Sequence, residues 1–287
     1  MHVDRVVASI EDRRRAILDV IAGARKSIRL SLFRCNDPAI FEALAAASSR
    51  GVTVDVLLTS RAKGVASKLT KLWSKLEKGG ATVHAYKDPV VKYHAKYLVA
   101  DEGPAVVASF NFTRKCFEKT FDAAVVTDDP AVVAGLDALM AADCKGKPMP
   151  EDVSPRLIIG PERARKQFTA LIDSAKKSIR LVDKKLSDPD LVTLLNAKRD
   201  AGLRVDVFAS KQIGSLKSHG KILLIDDRVA VVGGLAIAAI SLDFRREVAI
   251  VVNDPAAVAG VVEVFRTMDA VPTQGAIRAP DETGLSL

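Results

Sequence analysis

Cysteine is scarce in this 287-residue chain: Cys35, Cys116 and Cys144 lie far apart, with no CxxC pair among them. An odd, scattered set argues against a disulfide framework and against a cysteine-based zinc cluster, and it suits a reducing compartment. Long apolar runs are missing as well. The longest uncharged stretch, Val229 to Leu242, falls short of the roughly 20 residues that a membrane-spanning helix needs. The first fifteen residues are interrupted by Asp4, Arg5, Glu11, Asp12 and three further arginines, which excludes a signal-peptide pattern there. The expectation is a cytoplasmic protein with no transmembrane segment, peripheral at a membrane surface at most. Acid is the minority charge, 35 Asp+Glu against 43 Lys+Arg, and the resulting net +8 favours polyanionic partners. With 48% hydrophobic and 27% charged residues, the composition is that of a folded globular chain and not a disordered one.

The chain repeats itself. Residues 24–38 read ARKSIRLSLFRCNDP and residues 175–189 read AKKSIRLVDKKLSDP, an offset of 151. Gly51, Val54, Asp55 and Val56 recur as Gly202, Val205, Asp206 and Val207 at the same offset. Further on, Tyr93-His94-Ala95-Lys96 matches Ser218-His219-Gly220-Lys221, and Asp129-Pro130 matches Asp254-Pro255, both at an offset of 125. The first unit therefore carries 26 extra residues ahead of its histidine segment.

Each unit reads as alternating strand and helix. Strands are expected at 3–8, 27–33, 52–59, 91–100, 105–109 and 123–126, with helices at 11–24, 38–49 and 131–142. Asp37 as cap and Pro38 in the first turn mark one helix start. The segment 143–155, with three prolines and a glycine, reads as a linker. The domain expectation is 1–145 for the first half, 156–270 for the second and a loose tail over 271–287. The fold class is α/β, with two sandwich halves packed as a pseudo-dimer.

His94-x-Lys96-x4-Asp101 and His219-x-Lys221-x4-Asp226 have identical spacing at equivalent places in the duplication. On a strand, residues i and i+2 share a face, so each histidine would point with its lysine. Asp101 and Asp226 have the opposite parity, which suits anchoring a turn. Two converging pairs would supply a nucleophile and a general acid, together with two ammonium groups for phosphate oxygens.

In these motifs the sequence resembles the phospholipase D superfamily, whose signature is HxKx4D followed by a Gly/Ser-x-Asn segment. The resemblance spans about Val3 to Asp269 and implies two phospholipase D-like halves around one active site, so that a monomer suffices. It implies catalytic sets His94, Lys96, Asp101 and His219, Lys221, Asp226. Ser109 and Asn111 match the family's phosphate-contacting Ser and Asn. Asp122 and Glu247 fall where the family has a histidine-orienting Glu; Asp122 is expected to bond His94, and Ser241-Leu242 also looks like the family's pattern. The second half departs from the pattern, with Gly234 and Ala236 where Ser and Asn would stand. No cofactor and no metal are expected, since the sequence has no obvious ligand cluster.

The 26-residue insertion holds one more feature. Lys68, Lys71, Lys75 and Lys78 fall within about 80° of a helical wheel over 65–78, with Leu69, Leu72, Trp73 and Leu76 opposite. Such a helix is a solvated surface face, a nucleic-acid track or a bilayer-binding element. The expected activity is phosphodiester cleavage through a phosphohistidine, with a phospholipid at a membrane surface as substrate and phosphatidyl transfer of cardiolipin-synthase type included. Nucleic acid is the alternative substrate, and a catalytically dead phosphate-binding module is the remaining reading.

Overall fold

The computed structural model describes residues 2–60, 66–210 and 212–268; the tail expected over 271–287 lies outside them. The first half runs β1 (Asp4–Val7), α1 (Ile10–Gly23), β2 (Ser27–Leu32), α2 (Pro38–Ser49), β3 (Thr53–Thr59), α3 (Ala66–Lys78) and β4 (Thr82–Tyr86). It continues with β5 (Lys92–Tyr93), β6 (Tyr97–Ala100), β7 (Ala105–Ala108), α4 (Arg114–Glu118), β8 (Thr120–Phe121), β9 (Ala124–Thr127) and α5 (Pro130–Cys144). The second half has β10 (Leu157–Ile159), α6 (Ala164–Ser174), β11 (Ser178–Val182), α7 (Pro189–Asp200), β12 (Arg204–Phe208), β13 (Gln212–Ile213) and β14 (Leu216–Ser218). It ends with β15 (Ile222–Ile225), β16 (Val229–Gly233), α8 (Ala239–Phe244), β17 (Arg245–Arg246), β18 (Val248–Val252) and α9 (Pro255–Arg266).

The duplication is visible in the sheets. One is ordered β1-β9-β7-β6-β2-β3-β4 and the other β10-β18-β16-β15-β11-β12, so the insertion contributes α3 and the extra edge strand β4. In both sheets the strands from the first repeat segment pair in parallel, β2 with β3 and β11 with β12; the inserted β4 adds to β3 in parallel, and the other pairs within the two sheets are antiparallel. Four helices open on an Asp-Pro pair. The carboxylates of Asp37, Asp129, Asp188 and Asp254 accept backbone N–H groups of the first turns of α2, α5, α7 and α9.

Strand alternation sorts the core into layers. Tyr97, Val99, Ala105 and Val107 of the first sheet and Ile222, Leu224, Ala230 and Val232 of the second share one cluster between the sheets, together with residues of α5 and α9. The alternate residues Leu98, Ala100 and Val106 pack under α1, α2 and α3, and Leu223, Ile225 and Val231 under α6 and α7. The result is an α/β pseudo-dimer with the two sheets facing one another, α5 and α9 packed against that shared core, and α1, α2, α3, α6 and α7 outside. Among the described residues no helix is long and apolar enough to cross a membrane, and Val229 to Leu242 is a buried strand, a turn and the start of α8.

Two short ladders stitch the halves together. β5 pairs in parallel with β17, Arg245 opposite Lys92 and Arg246 opposite Tyr93. Its counterpart is β14 with β8, Lys217 opposite Thr120 and Ser218 opposite Phe121. The single strand expected over 91–100 is therefore broken at His94–Lys96, where the backbone changes partners. The His94 N–H donates to Arg246 O in the other half, whereas Lys96 O accepts from Ala108 in its own sheet.

Candidate active site

Each inter-half ladder ends at a histidine on one strand and a carboxylate on the other. Tyr93 and Arg246 are partners, so His94 and Glu247 follow side by side; Ser218 and Phe121 do the same for His219 and Asp122. His94 Nδ1 accordingly bonds the Glu247 carboxylate, and His219 Nδ1 bonds Asp122 Oδ1 at 2.9 Å. This corrects the expected Asp122–His94 pairing: the carboxylates are exchanged between the halves. Gly220 permits the second crossing, since a Cβ there would lie 2.9 Å from Phe121 O and 3.1 Å from Asp122 Cα. Arg246 holds β17 in place through Asp143 Oδ1 (3.1 Å), Gly160 O (3.0 Å) and both oxygens of Glu162.

The carboxylates are themselves braced by hydroxyls. Ser109 is fully buried, donates to Asp122 Oδ1 at 2.8 Å and accepts from the Ala123 N–H at 3.0 Å. It is spent on the scaffold, which corrects its expected place among the phosphate contacts. Thr120 donates to the other oxygen of Asp122 at 2.5 Å. In the second half Ser241 donates to Glu247 and accepts from the Ala236 N–H. The hydroxyl missing at Gly234 has thus moved to 241, the position that Cys116 occupies in the first half.

Lys96 is fully buried, its Nζ 3.0 Å from His94 Nδ1 and bonded to His94 O; Lys221 Nζ likewise donates to His219 O at 2.8 Å. Asn111 is nearly buried, its Oδ1 has no hydrogen-bond partner, and it lines the same cavity as His219. The motif aspartates lie elsewhere. Asp101 accepts the N–H groups of Arg25, Lys26 and Ser27, and Asp226 those of Lys176, Lys177 and Ser178. Both sit in the left-handed region, φ 51° and 53°, at the ends of β6 and β15 remote from the histidines. They anchor turns, and the catalytic role implied for them by the motif is corrected.

A family model described as a cardiolipin synthase, phospholipase D-like domain matches residues 17–144. A curated relative, "Phospholipase D" of Rickettsia bellii (strain RML369-C), is 31% identical over 113 residues, 39% of this chain and 54% of that protein. In residues 17–144 the chain is thus similar to the phospholipase D superfamily. It spans about half the length of that curated relative (54%). Among solved structures, a polyphosphate kinase from Porphyromonas gingivalis aligns with a TM-score of 0.75 at 18% identity, over 92% of this chain and 46% of that one. Phosphatidylserine synthase from Haemophilus influenzae Rd KW20 aligns with a TM-score of 0.69 at 11% identity, over 92% and 85%. At these identities the likeness is one of fold.

Electrostatics make the two halves unequal. Burial, reinforced by the Lys96 ammonium, drives the His94 pKa down to about 3 against the pull of Glu247. His219 is lowered as well, by burial, but less deeply. Burial alone would raise Glu247, yet the His94 ring, Lys96 and Ser241 outweigh it and hold the carboxyl at about 2. Lys96 falls to about 7 through burial, with Lys221 and Arg245 adding repulsion. Lys96 and Lys221 thus act on one another and Lys96 on His219, which places both motifs around one site.

Two further residues and one grouping were not singled out from sequence. Arg13 of α1 is fully buried, donates to Thr120 O at 2.8 Å and lies 3.9 Å from Asp122; its counterpart at the same repeat offset is Ala164. Its sequence signal is an arginine on the apolar face of α1, in line with Ala16, Ile17 and Val20. Phe33 packs against the His94 ring, centroids 4.4 Å apart and planes inclined at 59°. Cys116, Asp122 and His219 bring candidate ligand atoms within 4.8 Å of one another, a grouping that the scattered cysteines did not suggest. Both Asp122 oxygens are already engaged by Ser109, Thr120 and His219, so this trio does not fit a metal without dismantling the brace.

Beside His219 opens a cavity of about 590 Å³. One wall is α3, and Phe33, Phe41, Leu69 and Leu72 give it an apolar lining alongside several lysines.

Proposed function

We propose that the protein is a phosphodiesterase that works without a metal, through a covalent phosphohistidine. The observation that carries this reading is the pair of imidazoles, each fixed at Nδ1 by a buried carboxylate from the opposite half. An imidazole that donates Nδ1–H to a carboxylate has its Nε2 lone pair free. His94, the more firmly neutral of the two, is assigned as nucleophile. Its Nε2 attacks phosphorus as the P–O bond to the leaving group breaks, and protonated His219 delivers its proton to the departing oxygen. His219 then takes a proton from water or an alcohol, whose oxygen displaces His94 and releases the new phosphate ester. Lys96, Lys221 and the Asn111 amide stabilise the nonbridging oxygens as charge shifts. Asp122 and Glu247 orient the rings and stabilise their cationic forms.

Two substrates fit this chemistry. A phospholipid, cleaved or transferred at a membrane surface by a cytoplasmic monomer, is the reading supported by the description of the family model and the name of the curated relative. A nucleic-acid phosphodiester is favoured by the lysines around the cavity beside His219. The test is hydrolysis of bis(p-nitrophenyl) phosphate in excess EDTA, followed by acid-free quenching and mass spectrometry of the histidine peptides. Expected is turnover that His94→Ala and His219→Ala each abolish, with phosphate on the His94 peptide. Turnover that persists in either variant overturns the mechanism. Headgroup release from mixed phosphatidylcholine and phosphatidylglycerol vesicles, set against oligonucleotide cleavage, separates the substrates.

A further inference from the structure

The cavity beside His219 holds more positive charge than one scissile phosphate needs. Lys68, Lys71 and Lys75 of α3 share it with Lys115, Lys184 and Lys217, and Arg34 adds a seventh cation; among the described residues no carboxylate lines it. Lys96 and Lys221 already stand beside the two histidines. The second half has no counterpart of α3, because the helix belongs to the 26-residue insertion. The lysine row on its exposed face therefore builds one side of the site only.

Shape and chemistry narrow what these cations hold. A bilayer is flat and cannot enter a concave cavity of about 590 Å³. A single lipid drawn into it brings one or two phosphates to seven cations. A chain with a phosphate every few ångströms matches both the number of charges and their arrangement along α3. The apolar lining, with the Phe33 and Phe41 rings, gives flat groups between those phosphates a surface to lie on. Asn111 adds an amide whose Oδ1 is buried without a partner. A double helix keeps its base faces stacked inside and offers none to this lining.

We propose that α3 and the lysines across from it form a subsite for the phosphates that flank the scissile one, so that the protein holds a single-stranded nucleic acid several nucleotides long. The subsite takes its position from the phosphodiesterase reading, but its test does not depend on turnover.

The test uses the full chain with His94→Asn to prevent cleavage. Fluorescence anisotropy of a labelled single-stranded 12-mer is recorded over a salt series, with and without Lys68→Ser, Lys71→Ser and Lys75→Ser together. These side chains are exposed, and circular dichroism checks that the fold is kept. Each single-strand phosphate contact contributes about 0.7 to the salt slope, so losing three lowers the slope by about 2 and weakens binding at least tenfold at 0.15 M salt. An unchanged slope and affinity in the triple variant overturns the proposal. So does tighter binding to a duplex of the same sequence. Equal or better competition by inorganic polyphosphate overturns it too, since the apolar lining would then be idle. Lysine-dependent binding to phosphatidylglycerol vesicles with none to the 12-mer would assign the surface to a membrane and also overturns it. Turnover of bis(p-nitrophenyl) phosphate by the triple lysine variant carrying His94 reads the chemistry separately. If wild type lacks that turnover yet binds the strand with the stated slope, the catalytic reading falls and the subsite stands.

Discussion

Replacing Glu247 by Gln tests the exchange of carboxylates most directly. The side chain is fully buried, its two oxygens taken by His94 Nδ1 and the Ser241 hydroxyl. Glutamine keeps the shape and one acceptor but removes the charge. The bond to His94 then drops from a charge-assisted one, worth about 1.5–3 kcal/mol, towards the roughly 1 kcal/mol of a neutral pair. The new amide also meets Ser241, whose hydroxyl already accepts from Ala236 N–H and whose proton would lose its acceptor. A buried polar group left unsatisfied costs about 1–3 kcal/mol. Together these come to about 1.5–5 kcal/mol, which places the loss in turnover at about tenfold or more, using 1.36 kcal/mol per tenfold. The assays are hydrolysis of bis(p-nitrophenyl) phosphate and proton NMR of the imidazole N–H groups. The downfield Nδ1–H signal of His94 should move upfield while that of His219 stays. A change at His219 with His94 untouched, or a rate within twofold of the parent, would refute the crossed arrangement.

Three further outcomes follow from the geometry. Ser109→Ala should lower kcat with little change in KM, because its hydroxyl braces Asp122, whereas Asn111→Ala should raise KM; steady-state kinetics of the two side by side checks this. Gly220→Ala places a methyl 2.9 Å from Phe121 O, so urea unfolding should show a loss of about 1–3 kcal/mol and the turnover should fall further as Asp122 moves off His219. His94 is depressed to about 3 in the fold against 6.5 in the open chain, so between those values the unfolded state binds its proton first and stability is lost as pH falls. Asp143, raised to about 7 chiefly by burial, works in the opposite sense between about 7 and 3.8. Urea midpoints at pH 6.5 and 4.5 should therefore separate less in His94→Asn than in wild type, and parallel shifts would contradict the depressed value.

Much of the architecture is legible from local rules. Four Asp-Pro helix starts, the period-2 runs that became β6, β7, β15 and β16, and the offsets of 151 and 125 together specify two similar α/β halves. The brace on each imidazole is not legible in the same way. Asp122 lies 97 residues from His219 and Glu247 lies 153 from His94, and an internal repeat shows which positions are equivalent without showing which pair across the interface. Alternation likewise made 91–100 one strand, since parity is kept across His94–Lys96 while the hydrogen bonds change partner. A short hydroxyl such as that of Ser109 serves a carboxylate or a phosphate equally well in sequence, and only its burial against Asp122 decides. The lysine row of α3 was plain in its spacing; that it walls a cavity beside His219 needed the fold.

The exchanged carboxylates make the working unit indivisible. A fragment ending after α5 would keep His94, Lys96 and Asn111 yet have no anion on its imidazole, and the complementary fragment would carry His219 in the same condition. Each imidazole thus gains its carboxylate only when the two folded halves dock, so truncated chains are expected to lack turnover. The same wiring gives a rule for complementation. A chain damaged at Asp122 and one damaged at Glu247 cannot rescue each other as neighbours. They regain one intact pair of sites only by trading halves, so that an undamaged first half closes on an undamaged second.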